Sequence, residues 1–430
     1  MDIRLNNVGA ASTRALPNIY HLAPSKYYTR YEGVWQERLE STVMKLLSNF
    51  GWNPRGNTNQ PIPETETGLL RIQLEHRIEA AANLGWKEEG IQEVDGKRVL
   101  VLQGGKFLKP EAGEWPIINQ LLANLFLPDE LVYFLGWLQN AVQSLYTHRK
   151  LYGQALVLAG PKGGGKSFLQ FRVITPLLGG RSAKPFAWLT GQTQFNSELF
   201  EAVHQMIEDE YYSASPDSRK AFGASIKKIT ANMVQPLHRK HAPAYECVPF
   251  WRLTISLNDE THNLAVLPEL DESLSDKITI LRTLANPEMP LPTSGDNPME
   301  QAVAAELPHF LHYLLNEFKV PEGLVSGRYG IQAYINPDIR EKLQNIGEET
   351  ILLQEMRDVW KDQKISLTTR DVSKLLAVEV SPLVAPMLKS HRLTRNLEKL
   401  SGQAGSGVQH KKVRGTWYWE LDFTNFEKIF

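Results

Sequence analysis

Between residues 150 and 285, short apolar runs alternate with stretches of helical periodicity, which predicts an α/β domain on a mainly parallel sheet. Three runs have strand length and end in polar or glycine-rich sequence: Gln154 to Ala159, Val203 to Ile207 and Trp251 to Leu257. Ligands of open parallel sheets bind beyond the carboxyl ends of the strands, so chemistry is expected at those three ends. Ahead of them, Pro116 to Leu127 and Asp129 to Tyr146 read as helices, with Asp129 as the capping candidate of the second. Nearer the N-terminus, apolar residues from Gly33 to Asn49 fall at helical spacing, and Arg98 to Gln103 reads as a strand after the turn Asp95-Gly96. Pro287 to Asn297 reads as a linker and Met299 to Phe318 as a helix. The expected organisation is an α+β accessory region (1–115), a helical segment (116–150), the α/β domain (151–285), a helical linker or lid (286–346) and a C-terminal unit (347–430).

Composition narrows the class. The 430 residues are 42% hydrophobic and 22% charged, and 30 Gly and 25 Pro occur without period, which excludes collagen-like, coiled-coil and wholly disordered chains. Cys247 is the one cysteine; it permits no internal disulfide or cysteine-paired zinc ribbon, and fits a reducing cytosol as a small semi-buried side chain. No run approaches the roughly 20 apolar residues that span a bilayer, and Met1 to Tyr20 lacks a secretory pattern, so a cytoplasmic protein without a membrane partner is expected. Net charge is −1, which gives no bulk attraction to nucleic acid. Distribution says more: Lys389, Arg392, Arg395, Lys399, Lys411, Lys412 and Arg414 fall in a stretch whose one acid is Glu398. Such a run is either a footprint for phosphates or a solvated face. It follows a helix at Thr369 to Leu376, capped by Thr368 or Thr369, and spans a basic helix at Leu383 to Leu400, a glycine-rich turn and a hairpin at Val408 to Leu421. That is the order of a winged helix, whose second helix can enter a groove while the hairpin touches the backbone.

The sharpest motif is Gly160-Pro-Lys-Gly-Gly-Gly-Lys166-Ser167, which matches G-x-x-x-x-G-K-[ST]. Small residues at Gly160, Gly163, Gly164 and Gly165 let main-chain amides curl around a β-phosphate, Lys166 reaches β/γ oxygens, and the Ser167 hydroxyl ligates Mg²⁺. A strand precedes the motif, and a helical stretch from Ser167 through Phe168 to Leu177 opens after it, which adds a favourable dipole. ATP and Mg²⁺ are the expected ligands. Carboxylates must also hold the metal and orient water, and Glu208-Asp209-Glu210 ends the second apolar run. Asp209 is assigned to Mg²⁺, Glu210 to the water, and Glu208 is the frame-shifted alternative. Asn258 ends the third run; its carboxamide can sense a γ-phosphate or simply make a turn. In this picture the phosphate cradle faces carboxylates from an adjacent strand.

These strand ends, in this order, resemble the superfamily 3 helicases, AAA+-type ring motors, and within them the helicase half of phage primase-helicases. The likeness covers Val132 to Thr283, including Leu135-Gly-Trp-Leu, Phe195-Asn-Ser-Glu-Leu, Ile226-Lys-Lys-Ile-Thr230 and Ser256-Leu-Asn258. It implies a P-loop NTPase (AAA+-like) core with a helical collar at 116–150, flanked by the N-terminal α+β region and the winged-helix-like domain. It further implies an ATPase and DNA helicase, a homo-oligomeric ring, a hexamer, acting on single-stranded or forked DNA in the replication of a phage or mobile element. Priming would fall to a separate primase or polymerase. The family carries a pore hairpin with a basic tip, and Arg239-Lys240-His241 lies at the matching position. It also carries a trans-acting arginine finger; here Lys277 stands in its place, with Arg282 or Arg252 as substitutes. The competing readings are a nucleotide-gated DNA-binding initiator and a DNA-dependent ATPase without processive unwinding.

Overall fold

The computed structural model describes residues 14–424 except 57, 59–60, 209–215, 239–244, 269, 286–297, 345–346, 380–384 and 404–405. In chain order the central domain carries β1 (Ala155–Ala159), β2 (Ser182–Ala183), β3 (His204–Glu208), a hairpin of β4 (Gln235–Leu237) and β5 (Tyr245–Cys247), then β6 (Arg252–Leu257) and β7 (Ile278–Arg282). All but the hairpin form one parallel sheet in the order β7-β1-β6-β3-β2. Every residue of β1 and β6 is buried, as expected of strands covered on both faces. The three strands expected from the apolar runs form within a residue of their expected bounds. The expected neighbour relation fails: the acidic strand β3 is not adjacent to β1, because β6 lies between them.

Two helices precede the sheet, α1 (Pro116–Leu125) and α2 (Pro128–Tyr146). Asp129 does not cap α2. The cap position is Leu127 without a side-chain bond, and Pro128 takes the first helical position, where its missing N–H costs nothing. Asp129 and Glu130 sit in the first turn, on the positive end of the helix dipole. α3 (Pro216–Ala231) follows β3.

The helix expected after the phosphate loop is present over 166–177, but its middle, Leu169–Ile174, is a π-helix. Pro176 explains the widened turn. A proline in α-register would leave the carbonyl four residues back unbonded and clash with it, whereas the π-turn sends the Thr175 N–H to Gln170 O.

The N-terminal region contains a four-stranded sheet in the order Val34–Arg38, Lys26–Tyr31, Ile19–Leu22, Arg77–Ile78, with helices Glu40–Asn49 and Glu64–Glu75 beside it. The helical spacing from Gly33 to Asn49 is thus half strand. The turn Glu32-Gly33, with φ of 49° and 80°, closes a two-residue hairpin and sends the chain back antiparallel. A three-stranded sheet of Ala80–Leu84, Lys97–Gly104 and Gly90–Val94 joins the central domain directly: Leu84, Val99 and Val101 share one apolar core with β1 and β6.

After β7 come α4 (Pro298–His312), α5 (Pro337–Gln344) and α6 (Glu348–Val359). The C-terminal unit continues with β8 (Lys364–Leu367), α7 (Thr369–Glu379), α8 (Ser390–Ser401) and the strands β9 (Val408–Val413) and β10 (Thr416–Asp422), which form a sheet in the order β8-β10-β9. Of the two capping candidates, Thr368 acts: its Oγ1 accepts the Asp371 N–H (3.3 Å) and donates to Asp371 Oδ2 (2.6 Å). The basic helix begins at Ser390 rather than Leu383, with a 3₁₀ turn, Ala385–Leu388, ahead of it.

Candidate active site

Both neighbours of β1 run up to the loop that follows it. The Gly160 N–H donates to Leu257 O (3.2 Å), and the Thr283 N–H donates to Ala159 O (2.7 Å). A Cβ on Gly160 would stand 2.2 Å from both Thr283 O and Thr283 Oγ1, so this close approach demands glycine. Gly163 and Gly165 have φ of 76° and 93°, a left-handed conformation that glycine adopts without strain. The result is a loop walled by main chain that opens directly into a helix, the arrangement that receives phosphates.

Lys166 is 7% exposed. Its Nζ donates to Gly160 O and Pro161 O at 2.8 Å each and reaches Asn258 Oδ1 at 3.4 Å. Register explains that meeting. Leu257 pairs with Ala159, so the residues one step further, Asn258 and Gly160, emerge side by side. Ser167 is exposed at the first helical turn. The Phe168 ring is buried in the core, so only its main chain can face a ligand.

Glu208 ends β3 level with Ser256, on the same edge of the sheet as Asn258 and about 10 Å, two strand spacings, from β1. Asp209 and Glu210, which follow it, lie outside the described residues. So do Arg239, Lys240 and His241. The base of their hairpin is described and well tethered. Buried Asn196 donates from Nδ2 to Pro236 O (2.9 Å) and accepts the His238 N–H (2.7 Å). Gln235 Nε2 donates to Lys228 O on α3 (2.9 Å).

The three candidate fingers occupy different places. Lys277 precedes β7, where its carbonyl accepts the Ala155 N–H, so it lies at the edge opposite the chain's own phosphate loop; its ammonium pairs with Asp276. Arg252 is fully buried at the start of β6 and donates to Asn140 Oδ1 (3.0 Å) and Leu151 O (3.0 Å). It is a packing residue and cannot reach a neighbour, so the expectation that it might serve as a finger is wrong. Arg282 ends β7 beside Ala159 and pairs with Asp338 (2.7 Å) and Asp259 (3.7 Å), which holds it at the chain's own site.

Two polar features here went unread in the sequence. The first is a closed circuit beneath the loop. Gln170 Nε2 donates to Thr254 Oγ1 (2.7 Å), Thr254 Oγ1 meets His204 Nε2 (2.7 Å), His204 Nδ1 meets Thr175 Oγ1 (2.7 Å), and Thr175 Oγ1 donates to Gln170 O (2.8 Å). Because Thr175 spends its one hydrogen on a carbonyl, His204 Nδ1 must carry the proton and Nε2 must accept from Thr254. His204 is fully buried, and desolvation pushes its pKa down to about 3, so it is neutral. The circuit joins the 166–177 helix to β3 and β6, the two strands whose ends carry Glu208 and Asn258. Its sequence signal was polar residues, His204 and Thr254, inside strands that should read as apolar. The second feature is Glu130, 1% exposed, which accepts the Arg282 N–H (2.7 Å) and the Asn336 amide (2.5 Å). Burial raises its pKa above the usual carboxylate range.

A five-stranded parallel sheet with a phosphate loop beyond one inner strand fits a P-loop, helicase-like fold, the class that the motifs resemble. No family model and no curated protein sequence matches the chain. Among solved structures it is similar to the apo structure of the NrS-1 C terminal region, at TM-score 0.53 and 14% identity over 94% of this chain and 95% of that one. The A form apo structure of the same region gives TM-score 0.52 and 15% identity over 94% and 96%. At such identity the likeness shows the fold alone. No helix among the described residues is long and apolar enough to cross a membrane.

Proposed function

We propose that the chain is an ATP-dependent DNA helicase working as a homo-oligomeric ring, a hexamer, on single-stranded or forked DNA in the replication of a phage or mobile element. The observation that carries this reading is the meeting of Lys166 with Asn258 at one edge of the sheet, with the acidic end of β3 on that same edge. The residues fit a nucleotide: the cradle excludes any Cβ at Gly160, and a buried ammonium is held by main-chain oxygens that phosphate oxygens can replace. Magnesium-ATP, when bound, supplies the γ-phosphoryl group and the neutralising metal charge.

The loop amides that follow Pro161 would then hold the β-phosphate, and Lys166 would neutralise β/γ oxygens. Ser167 and Asp209 would hold the metal, Glu210 would orient the water, and Asn258 would sense the γ-phosphate beside Lys166. Lys277, on the far edge of the sheet, suits a contact to a neighbouring subunit's nucleotide rather than its own. Arg239, Lys240 and His241 would grip strand phosphates without reading bases. The C-terminal order α6-β8-α7-α8-β9-β10 supports a winged-helix-like DNA-binding unit.

Lys166→Ala should lower ATP turnover at least about a hundredfold with the fold intact. Near-normal turnover would refute the site. Lys240→Ala should keep basal turnover, lose unwinding of a forked substrate, and show a shallower salt dependence of single-strand binding; unchanged unwinding removes the hairpin from the mechanism.

A further inference from the structure

The basic run of the C-terminal unit is split by the fold. On α8 the cations are turned to internal use. Arg392 forks onto Glu348, with Nη2 to Oε1 at 2.8 Å and Nε to Oε2 at 3.2 Å. Asn396 and Arg395 reach the same carboxylate, and Lys399 pairs with Glu349 at 3.0 Å. Both acids stand in the first turn of α6, so these bonds fasten α6 to α8 and set carboxylates beside its cations.

The hairpin is built differently. Its turn, Arg414-Gly415, has φ of 48° and 86°, the two-residue geometry that suits strand twist. Register pairs His410 with Trp419 and Lys412 with Trp417. Successive residues alternate faces, so these four share one. Trp419 is buried and donates to Thr369 Oγ1 (2.9 Å). The His410 ring stacks on it at 4.0 Å and 8°, and stacks on Trp417 at 4.2 Å and 29°. Trp417 is 52% exposed, with Lys412 Nζ 5.5 Å from its ring centroid. An aromatic column therefore rises from the core and ends at an open indole. No ion pair engages Lys412 or Arg414 among the described residues.

We propose that this hairpin, not α8, is a binding site for an unpaired nucleic-acid strand: a base stacks on Trp417, and flanking phosphates take Lys412 and Arg414. The inference rests on the nucleic-acid role proposed above and names the element and the ligand. Every base has a π-face, so an exposed indole binds without sequence preference, whereas a paired base is already stacked and cannot use it. Charge fits as well: within the hairpin, Lys411 pairs with Glu420 while Lys412 and Arg414, at its end, are left without carboxylates among the described residues.

The test is fluorescence anisotropy on the full chain without nucleotide, in a Lys240→Ala background so that the central hairpin does not mask a loss. The probes are labelled oligothymidylate and a blunt duplex of equal length. Trp417→Ala should weaken oligothymidylate binding by about tenfold or more, and Trp417→Phe should keep most of it. Joint replacement of Lys412 and Arg414 by Ala should flatten the slope of log K against log salt by about 1.4, while joint replacement of Arg395 and Lys399 leaves binding unchanged. Wild-type binding by Trp417→Ala, equal losses in the Phe and Ala variants, an equal loss on the duplex, or a larger loss from the α8 pair would each overturn the proposal. Because no nucleotide is present, a failure of the ATP-driven reading at Lys166 leaves these results readable.

Discussion

Lowering the pH from 7 to 5 should loosen the seam beneath the phosphate loop through one group, His204. In the unfolded chain an imidazole titrates near its ordinary value of about 6.5. In the fold, burial pushes it down to about 3. The folded state thus binds fewer protons, so the stability held by neutral His204 is complete above the ordinary value and is lost as pH falls toward the depressed one. At pH 5 the unfolded chain gains RT ln(1 + 10^1.5), about 2 kcal/mol, which the fold does not share. His204→Asn retains an N–H for Thr175 but does not titrate. It should cost about 1–3 kcal/mol at pH 7, where Thr254 loses its acceptor, and that deficit should close by about 2 kcal/mol at pH 5. The assay is hydrogen exchange by mass spectrometry on peptides spanning β3 at both pH values, corrected for intrinsic exchange. If wild type and variant lose protection in parallel, the buried neutral imidazole is wrongly assigned.

Two further perturbations probe the edge of the sheet. Gly160→Ala places a methyl against Thr283 O and Oγ1, so the loop must shift; binding of a fluorescent ATP analogue should be lost at a stability cost of about 1–3 kcal/mol by chemical denaturation, and retained binding would dismiss the close approach. Glu130→Ala strands the Arg282 N–H and the Asn336 amide and should destabilise by about 3–5 kcal/mol, whereas Glu130→Gln, which accepts at one of the two positions but turns an N–H toward the donor at the other, should recover only part of that loss by the same denaturation.

The sequence shows local features and hides their neighbours. Gln154 to Ala159 and Trp251 to Leu257 were legible because buried parallel strands are nearly all apolar, and the phosphate loop because its chemistry forbids large side chains. The insertion of β6 between β1 and β3 was not, since strand order is a tertiary choice that no local pattern records. β2 has two residues, too few for a period. The π-turn over Leu169–Ile174 hid inside ordinary helical spacing, although Pro176 was its marker. On α8, positive charge was legible but its partners were not: Glu348 lies more than forty residues from Arg392, and only folding reveals that those cations are spent on packing. The roles given to Asp209, Glu210 and the tip residues Arg239, Lys240 and His241 stand on resemblance and motif.

Asn196 has a mechanical consequence. It grips the hairpin base and leads through the 3₁₀ turn Ser197–Glu201 into β3, and that turn is braced: Leu199 O accepts both the Trp251 indole N–H (2.9 Å) and Gln205 Nε2 (2.8 Å). The described base of the hairpin is accordingly tied to the lead-in of β3 by Asn196. In the proposed ring, a stroke on a bound strand would then come from tilting of whole subunits against one another rather than from bending at the base of the hairpin.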